Sequence, residues 1–353
     1  MIRASLTPAG ADPELRRLRR AGRRRHSLRN GALLLALLGA IGFGLCWGQT
    51  VYPPATVLRV LAGSDDPGLG AAAFTLLDLR LPRLLLGALA GAAFGLGGTT
   101  FQLLLRNPLA SPDIIGISAG AGAAAVVAIV GFQLRGPEVS IIAVLAGLAT
   151  AALIYALSWR GGVAGARLIL VGIGLSSMAQ SVTAYTLSRA PAWSLQEAMR
   201  WMAGSLNGAG IEQALPLLAA LLACGGLLAA RARDLGTLRM GDDMAAALGI
   251  RVGRARALTI LAAVGLVATA TAATGPIAFV AFLAGPIAAR LVGRDGPLLL
   301  PAALTGALLV LLADIAGQSL LPGRLPVGIV TGVLGAPWLI AQLLRRSASG
   351  ETL

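Results

Sequence analysis

The 353-residue chain has no lysine and one histidine, His26. It has two cysteines, Cys46 and Cys224, and charged residues make up only 12% of it. Each shortage removes a class of chemistry. A P-loop of the form G-x-x-x-x-G-K-[ST] needs its lysine, so the chain carries no such nucleotide-hydrolysing site. An H-E-x-x-H metal site needs two histidines. Cys46 and Cys224 lie inside apolar segments, at a spacing that fits neither a metal site nor a disulfide framework, and read as small packing residues. Gly116-Ile117-Ser118-Ala119-Gly120 spells the G-x-S-x-G elbow of serine hydrolases. That elbow needs a preceding strand and a histidine base, and His26 sits in an N-terminal arginine tail. No catalytic residue set and no metal site is expected.

What fills the chain is apolar: 56% of residues are hydrophobic, with a mean hydropathy of +0.80. A soluble domain carries about 25% charged residues, and a membrane-crossing helix needs roughly 20 mostly apolar ones. The pattern predicts an all-α, polytopic membrane protein. Ten spans are expected, at 31–51, 81–105, 113–134, 138–159, 167–188, 211–230, 257–274, 276–292, 298–320 and 326–344. Residues 31–346 form one domain, between an arginine-rich tail at 1–30 expected to be disordered and a short tail at 347–353. The tail is long for a signal peptide and no small-x-small cleavage site follows Trp47, so a retained first helix is expected.

A net charge of +14 raises the question of nucleic acid. The arginines cluster at the ends of apolar runs, so membrane orientation is the better reading and no nucleic-acid partner is expected. With the N-terminus inside and alternating spans, 22 arginines fall inside and 7 outside. The seven are Arg59, Arg80, Arg83, Arg135, Arg189, Arg200 and Arg324. Both termini are therefore predicted to be cytoplasmic.

Glycines repeat at helix-packing spacing: Gly87, Gly91 and Gly95; Gly116 and Gly120; Gly328 and Gly332. Such stripes let helices approach closely in lipid. Residues 189–210, with Trp193 and Trp201, predict a short interfacial helix outside, and the 52–79 linker lies outside as well. Asp314 is the intramembrane acid considered as an ion-path carboxylate; without a basic partner in its own span, it reads first as a hydrogen-bonded packing residue. Residues 231–256 form a polar island with six arginines between two apolar runs, placed to touch something soluble on the cytoplasmic side.

These segments together resemble a known family. Arg80-Leu81-Pro82-Arg83 opens the second span; Arg106-Asn107-Pro108-Leu109-Ala110 and Pro112-Asp113-Ile114-Ile115-Gly116-Ile117-Ser118-Ala119-Gly120 follow. Then come Trp201-Met202-Ala203-Gly204-Ser205-Leu206, Gly241-Asp242-Asp243-Met244-Ala245 with Leu248-Gly249, and Gly275-Pro276-Ile277-Ala278-Phe279-Val280. Leu312-Ala313-Asp314-Ile315 and Leu325-Pro326-Val327-Gly328-Ile329-Val330-Thr331 complete the set. In order and spacing, over roughly residues 30–346, they resemble the FecCD-type transmembrane permease subunits of ABC importers for ferric siderophores, haem and vitamin B12.

The resemblance implies a ten-span subunit in the bacterial plasma membrane. It would pair with a second permease, identical or sister, and work with two copies of a cytoplasmic ATPase and an extracytoplasmic binding protein. The chain itself would bind no cofactor; ATP and magnesium belong to the ATPase. Gly241, Asp242, Asp243, Met244, Ala245, Leu248 and Gly249 match the loop that docks into the ATPase. The two glycines would bracket a short helix Asp242–Leu248, with acids at its positive end. Arg80 and Arg83 match positions that meet acidic residues of the binding protein, where a guanidinium takes a carboxylate bidentately. A third docking arginine of the vitamin B12 member is replaced here by Gln318, and Arg324 lies near enough to substitute. Asn107, Pro108 and Leu109 match one half of the cytoplasmic gate and Gly165 and Ala166 the other. Gly285-Pro286 stands where many members have Pro-His, which leaves no imidazole in the bundle for substrate ligation.

The sequence reads as a permease subunit of an ATP-driven importer, with an iron(III)-siderophore as the expected cargo. Vitamin B12 or haem on the same fold is the first alternative. An ion-coupled carrier, dependent on Asp314 rather than an ATPase, is the alternative of another class. The arginine tail has no role assigned beyond orientation and contact with anionic lipid.

Overall fold

A computed structural model describes residues 13–64, 66–158, 165–293, 296–319 and 323–348. Arg3, Arg160, Arg294 and the end of the C-terminal tail from residue 349 lie outside the described residues. The described residues form helices joined by turns and loops, without strand. Seven helices are long and apolar enough to cross a membrane: Arg24–Cys46, Pro67–Leu104, Pro137–Ser158, Arg167–Ser188, Ile211–Ala230, Val252–Thr274 and Leu299–Ser319. Three shorter apolar helices, Ile117–Gly131, Val280–Val292 and Val327–Gln342, fall in the remaining predicted spans.

Helix boundaries differ from the sequence pattern at four places. The Pro13–Cys46 helix takes in residues 13–30, expected to be disordered. Leucine, alanine and arginine are good helix formers, proline is tolerated in a first turn, and Arg29 Nη1 ties the segment down by donating to the Val292 carbonyl at 2.8 Å. The 52–79 linker is mostly helix, Pro54–Leu61 and then a stretch from Pro67 that runs unbroken into Leu81–Leu104. The eighth span does not begin at Pro276: residues 275–279 are non-helical, with Phe279 at φ 65°, and the helix starts at Val280. The third span is also interrupted, by Gly116 at φ 98° between Pro112–Ile115 and Ile117–Gly131.

Leu81–Leu104 is the axis of the bundle, packed by Leu299–Ser319, Val252–Thr274 and Val280–Val292. Its glycine stripe makes this approach feasible. A Cβ on Gly91 would collide with the Gly306 carbonyl, and one on Gly95 with that of Ala302. Leu86, Ala90, Phe94, Leu266, Val280 and Val310 fill the core around this crossing. Gly332, by contrast, faces open space beside exposed Val333 and Leu334.

Pro286 inside Val280–Val292 has no N–H, so the Phe282 carbonyl four residues earlier loses its helical donor. An unpaired carbonyl is costly where water is absent. The buried Gln102 side chain supplies the bond, its Nε2 donating to Phe282 O at 3.0 Å. Gly285 leaves the room: any Cβ there would strike Gln102 Oε1.

Candidate functional site

At one end of the axial helix, Arg80, Arg83 and Arg324 line one cavity of about 590 Å3 with Asn207, Asp314 and Gln318. The structure thus brings together all three arginines that the sequence singled out for docking. Their states differ. Arg83 holds Asp314 bidentately, Nε to Oδ2 and Nη2 to Oδ1, both at 2.8 Å, and its Nη1 donates to Asn207 Oδ1 at 2.7 Å. The Asp314 side chain is 2% exposed and that of Arg83 18%. Gln318, one turn beyond Asp314, donates Nε2 to Oδ2 at 2.7 Å. Asp314 therefore has its basic partner on another helix, which the search within its own span missed. Arg80 donates to the Leu45 and Thr50 carbonyls and lies over the Tyr52 ring. Arg324 is exposed, with no hydrogen bond or ion pair among the described residues.

The polar island lies at the opposite end. Its helices are Ala232–Leu238 and Asp242–Ala247, the second one residue shorter than expected. Gly241 at φ 122° and Gly249 at φ 83° bracket it, in conformations that side-chain-bearing residues rarely adopt. Ala245 is fully buried, in a cluster with Phe101, Leu104, Ile115 and Leu168. Asp243, Met244 and Leu248 are exposed, as is Met240, whose place beside them the sequence reading did not note. Two methionines and a leucine at 48–66% exposure make an apolar face on an otherwise charged loop. Asp242 turns inward: its carboxylate takes Arg106 Nη2 at 3.0 Å and Arg256 Nη2 at 2.9 and 3.0 Å.

Arg106 leads into Asn107, Pro108 and Leu109, a turn closed by Leu109 N donating to Asn107 Oδ1 at 2.9 Å. Gly165 and Ala166 open the Gly165–Ser188 helix at this same end, where Leu168 joins the cluster of Phe101 and Leu104. The side-chain surroundings of Gly165 and Ala166 lie outside the described residues.

Between the two ends is a second cavity, of about 370 Å3, lined by Ser111, Asp113, Ser118, Met202, Phe279 and Phe282 among others. Residues 276–279 of one helix interruption line it, as do Asp113 and Ser118 on either side of the break at Gly116, as expected of irregular backbone at membrane depth. Ser118 donates to Asp113 Oδ1, so the serine of the G-x-S-x-G match is a carboxylate's hydrogen-bond partner. Asp113 is an interior acid that the sequence reading passed over. Its place directly after Ser111-Pro112, before an apolar run, was the available signal. Among the described residues no group of three or more histidines, cysteines or acids could hold a metal ion.

A helical bundle with a charged cavity at one end, a helix-bearing loop at the other and broken helices between them defines a membrane-embedded subunit of the transport type. The sequence model of the FecCD transport family matches residues 34–345, and the chain belongs to that family. It is 40% identical over 309 residues to the ferric enterobactin transport system permease protein FepG of Escherichia coli (strain K12), covering 86% of this chain and 92% of that one. It is 38% identical over 318 residues to the achromobactin transport system permease protein CbrC of Dickeya dadantii (strain 3937), covering 89% and 90%. Among solved structures, an inward-facing conformation of a metal-chelate type ABC transporter superimposes with a TM-score of 0.79 at 27% identity, covering 90% of this chain and 98% of that one.

Proposed function

We propose that this chain is the membrane-spanning permease subunit of an ATP-driven, binding-protein-dependent importer that carries an iron(III)-siderophore into the cytoplasm. The observation that carries the reading is near end-to-end similarity to permeases of ferric enterobactin and achromobactin systems. The chain crosses the plasma membrane ten times, using the three shorter apolar helices as spans alongside the seven long ones, with both termini inside. A second permease completes the path. ATP and magnesium act in two copies of a partner ATPase.

The end bearing Asp242–Ala247 faces the cytoplasm and docks the ATPase. Met240, Met244 and Leu248 give it an apolar contact, and Gly241 and Gly249 fix the turns. Nucleotide-driven closure of the ATPase dimer moves this helix and rearranges the gate at Asn107–Leu109 and Gly165–Ala166, giving alternating access. At the outer end the binding protein meets the arginine-lined cavity. Arg324 offers an exposed guanidinium there, and Arg80 and Arg83 add positive potential from within the cavity while keeping the partners they hold. Asp314 is committed to Arg83 and Gln318, which argues against its use as the mobile proton carrier of an ion-coupled transporter.

The test is uptake of labelled ferric enterobactin, ferric citrate, haem and vitamin B12 in a strain deleted for this gene and complemented with it. Restored uptake of an iron chelate, lost again when the ATPase is inactivated, is the expected result. Restoration of vitamin B12 or haem alone would replace the cargo, and uptake independent of any ATPase would replace the class.

A further inference from the structure

The Leu81–Leu104 helix ends in a Schellman motif: Asn107 N donates to Gln102 O at 3.1 Å and Arg106 N to Leu103 O at 3.4 Å. The residue in the left-handed position of that motif is usually glycine, because a Cβ there is strained. Here it is Arg106, at φ 52°. Its side chain does not serve the helix end. It crosses to the docking loop, where Nη2 meets Asp242 Oδ1. Arg256, 15% exposed on the Val252–Thr274 helix, grips the same carboxylate through both oxygens.

An ion pair with both side chains about 45% exposed contributes little to stability. The backbone would be easier with glycine, and the pair repays little of that strain. What the arginine does provide is a directional, charge-assisted tie between the Asp242–Ala247 helix and the residue directly before the Asn107–Leu109 turn. Arg256 fixes Asp242 to a second helix of the axial group, so the carboxylate links three elements at once.

We propose that Arg106 is a positioning residue for transport: through Asp242 it transmits movement of the loop helix to the Asn107–Leu109 gate corner. The proposal rests on the importer reading above. It makes an unusual demand of one substitution. Arg106→Gly relaxes the backbone, so it leaves the fold intact or firmer, yet it cuts the tie.

The test uses the full importer, permease with its ATPase and binding protein, in lipid vesicles. Uptake and ATP hydrolysis are read in chains with native Leu109; gate accessibility is read separately, with Cys46→Ser and Cys224→Ser removing the native thiols and Leu109→Cys reporting to an impermeant maleimide. In the chains with Arg106, ATP changes the labelling rate and drives uptake of the iron chelate that this gene restores to the deletion strain. Arg106→Gly keeps its thermal midpoint, retains the ATPase and hydrolyses ATP, but uptake per ATP falls about tenfold, within the usual range of coupling between sites, and labelling stops responding to ATP. Arg106→Lys, which keeps the charge, restores part of the response. Native uptake per ATP in Arg106→Gly would overturn the proposal. So would a fall in uptake that is accompanied by a lowered thermal midpoint or by loss of the ATPase from the complex, which would make the role structural. If the Arg106 background itself shows no ATP-driven uptake, the importer reading fails first and takes this link with it.

Discussion

Removing one member of the Arg83–Asp314 pair should do far more harm than removing both. The pair is bidentate at 2.8 Å, with Asp314 2% and Arg83 18% exposed, and Gln318 and Asn207 complete the network. Breaking a buried pair typically costs about 3–5 kcal/mol, because it strands the surviving charge, whereas well-packed apolar replacement of both partners is often neutral. Asp314→Leu leaves the Arg83 guanidinium with Asn207 and the open side of the cavity, which softens the loss to about 3 kcal/mol, the low end of that range. Arg83→Met strands a more deeply enclosed carboxylate and should cost more, about 4 kcal/mol. The double variant should return to within about 1 kcal/mol of native, so a double-mutant cycle should report a large coupling term. Reversible unfolding of the purified protein in mixed micelles, titrated with a denaturing detergent, measures all four corners. Two single variants each within 0.5 kcal/mol of native, roughly the scatter of independent surface sites, would refute the reasoning and return Arg83 to the status of a free docking side chain.

Three further outcomes are expected. Gly91→Ala should lower stability by about 1–3 kcal/mol through overpacking against the Gly306 carbonyl, while Gly332→Ala, which meets open space, should not; the same unfolding titration decides. Gln102→Leu should cost about 1–3 kcal/mol by orphaning the Phe282 carbonyl beside Pro286, and Pro286→Ala in the Gln102→Leu background should recover part of it. Gly241→Ala, at a φ of 122°, should weaken co-purification of the partner ATPase while leaving the bundle's thermal midpoint close to native, because the strain of about 1–3 kcal/mol falls on the loop.

The apolar runs located the helices well, because a stretch that must satisfy its own backbone in lipid announces itself by composition. The glycines of the polar island were equally legible: Gly241 and Gly249 do bracket a short helix. What stayed hidden was pairing between helices. Asp314 and Arg83 are 231 positions apart, and no periodicity within either span says that they meet. Pro286 advertised a broken helical bond without saying that Gln102 mends it. Hydropathy also misjudged the ends. It read arginine-rich 13–30 as a loose tail, although arginine favours helix and Arg29 finds a carbonyl cap. It ran the eighth span through 276–279, where the chain instead lines a cavity beside Asp113.

Transport by the purified chain in vesicles tests the central claim most directly. The account predicts that the labelled iron chelate whose uptake this gene restores enters only when the partner ATPase, the binding protein and ATP are all supplied, and that an imposed proton gradient cannot substitute. Full-rate entry through the permease alone, driven by that gradient, would contradict it.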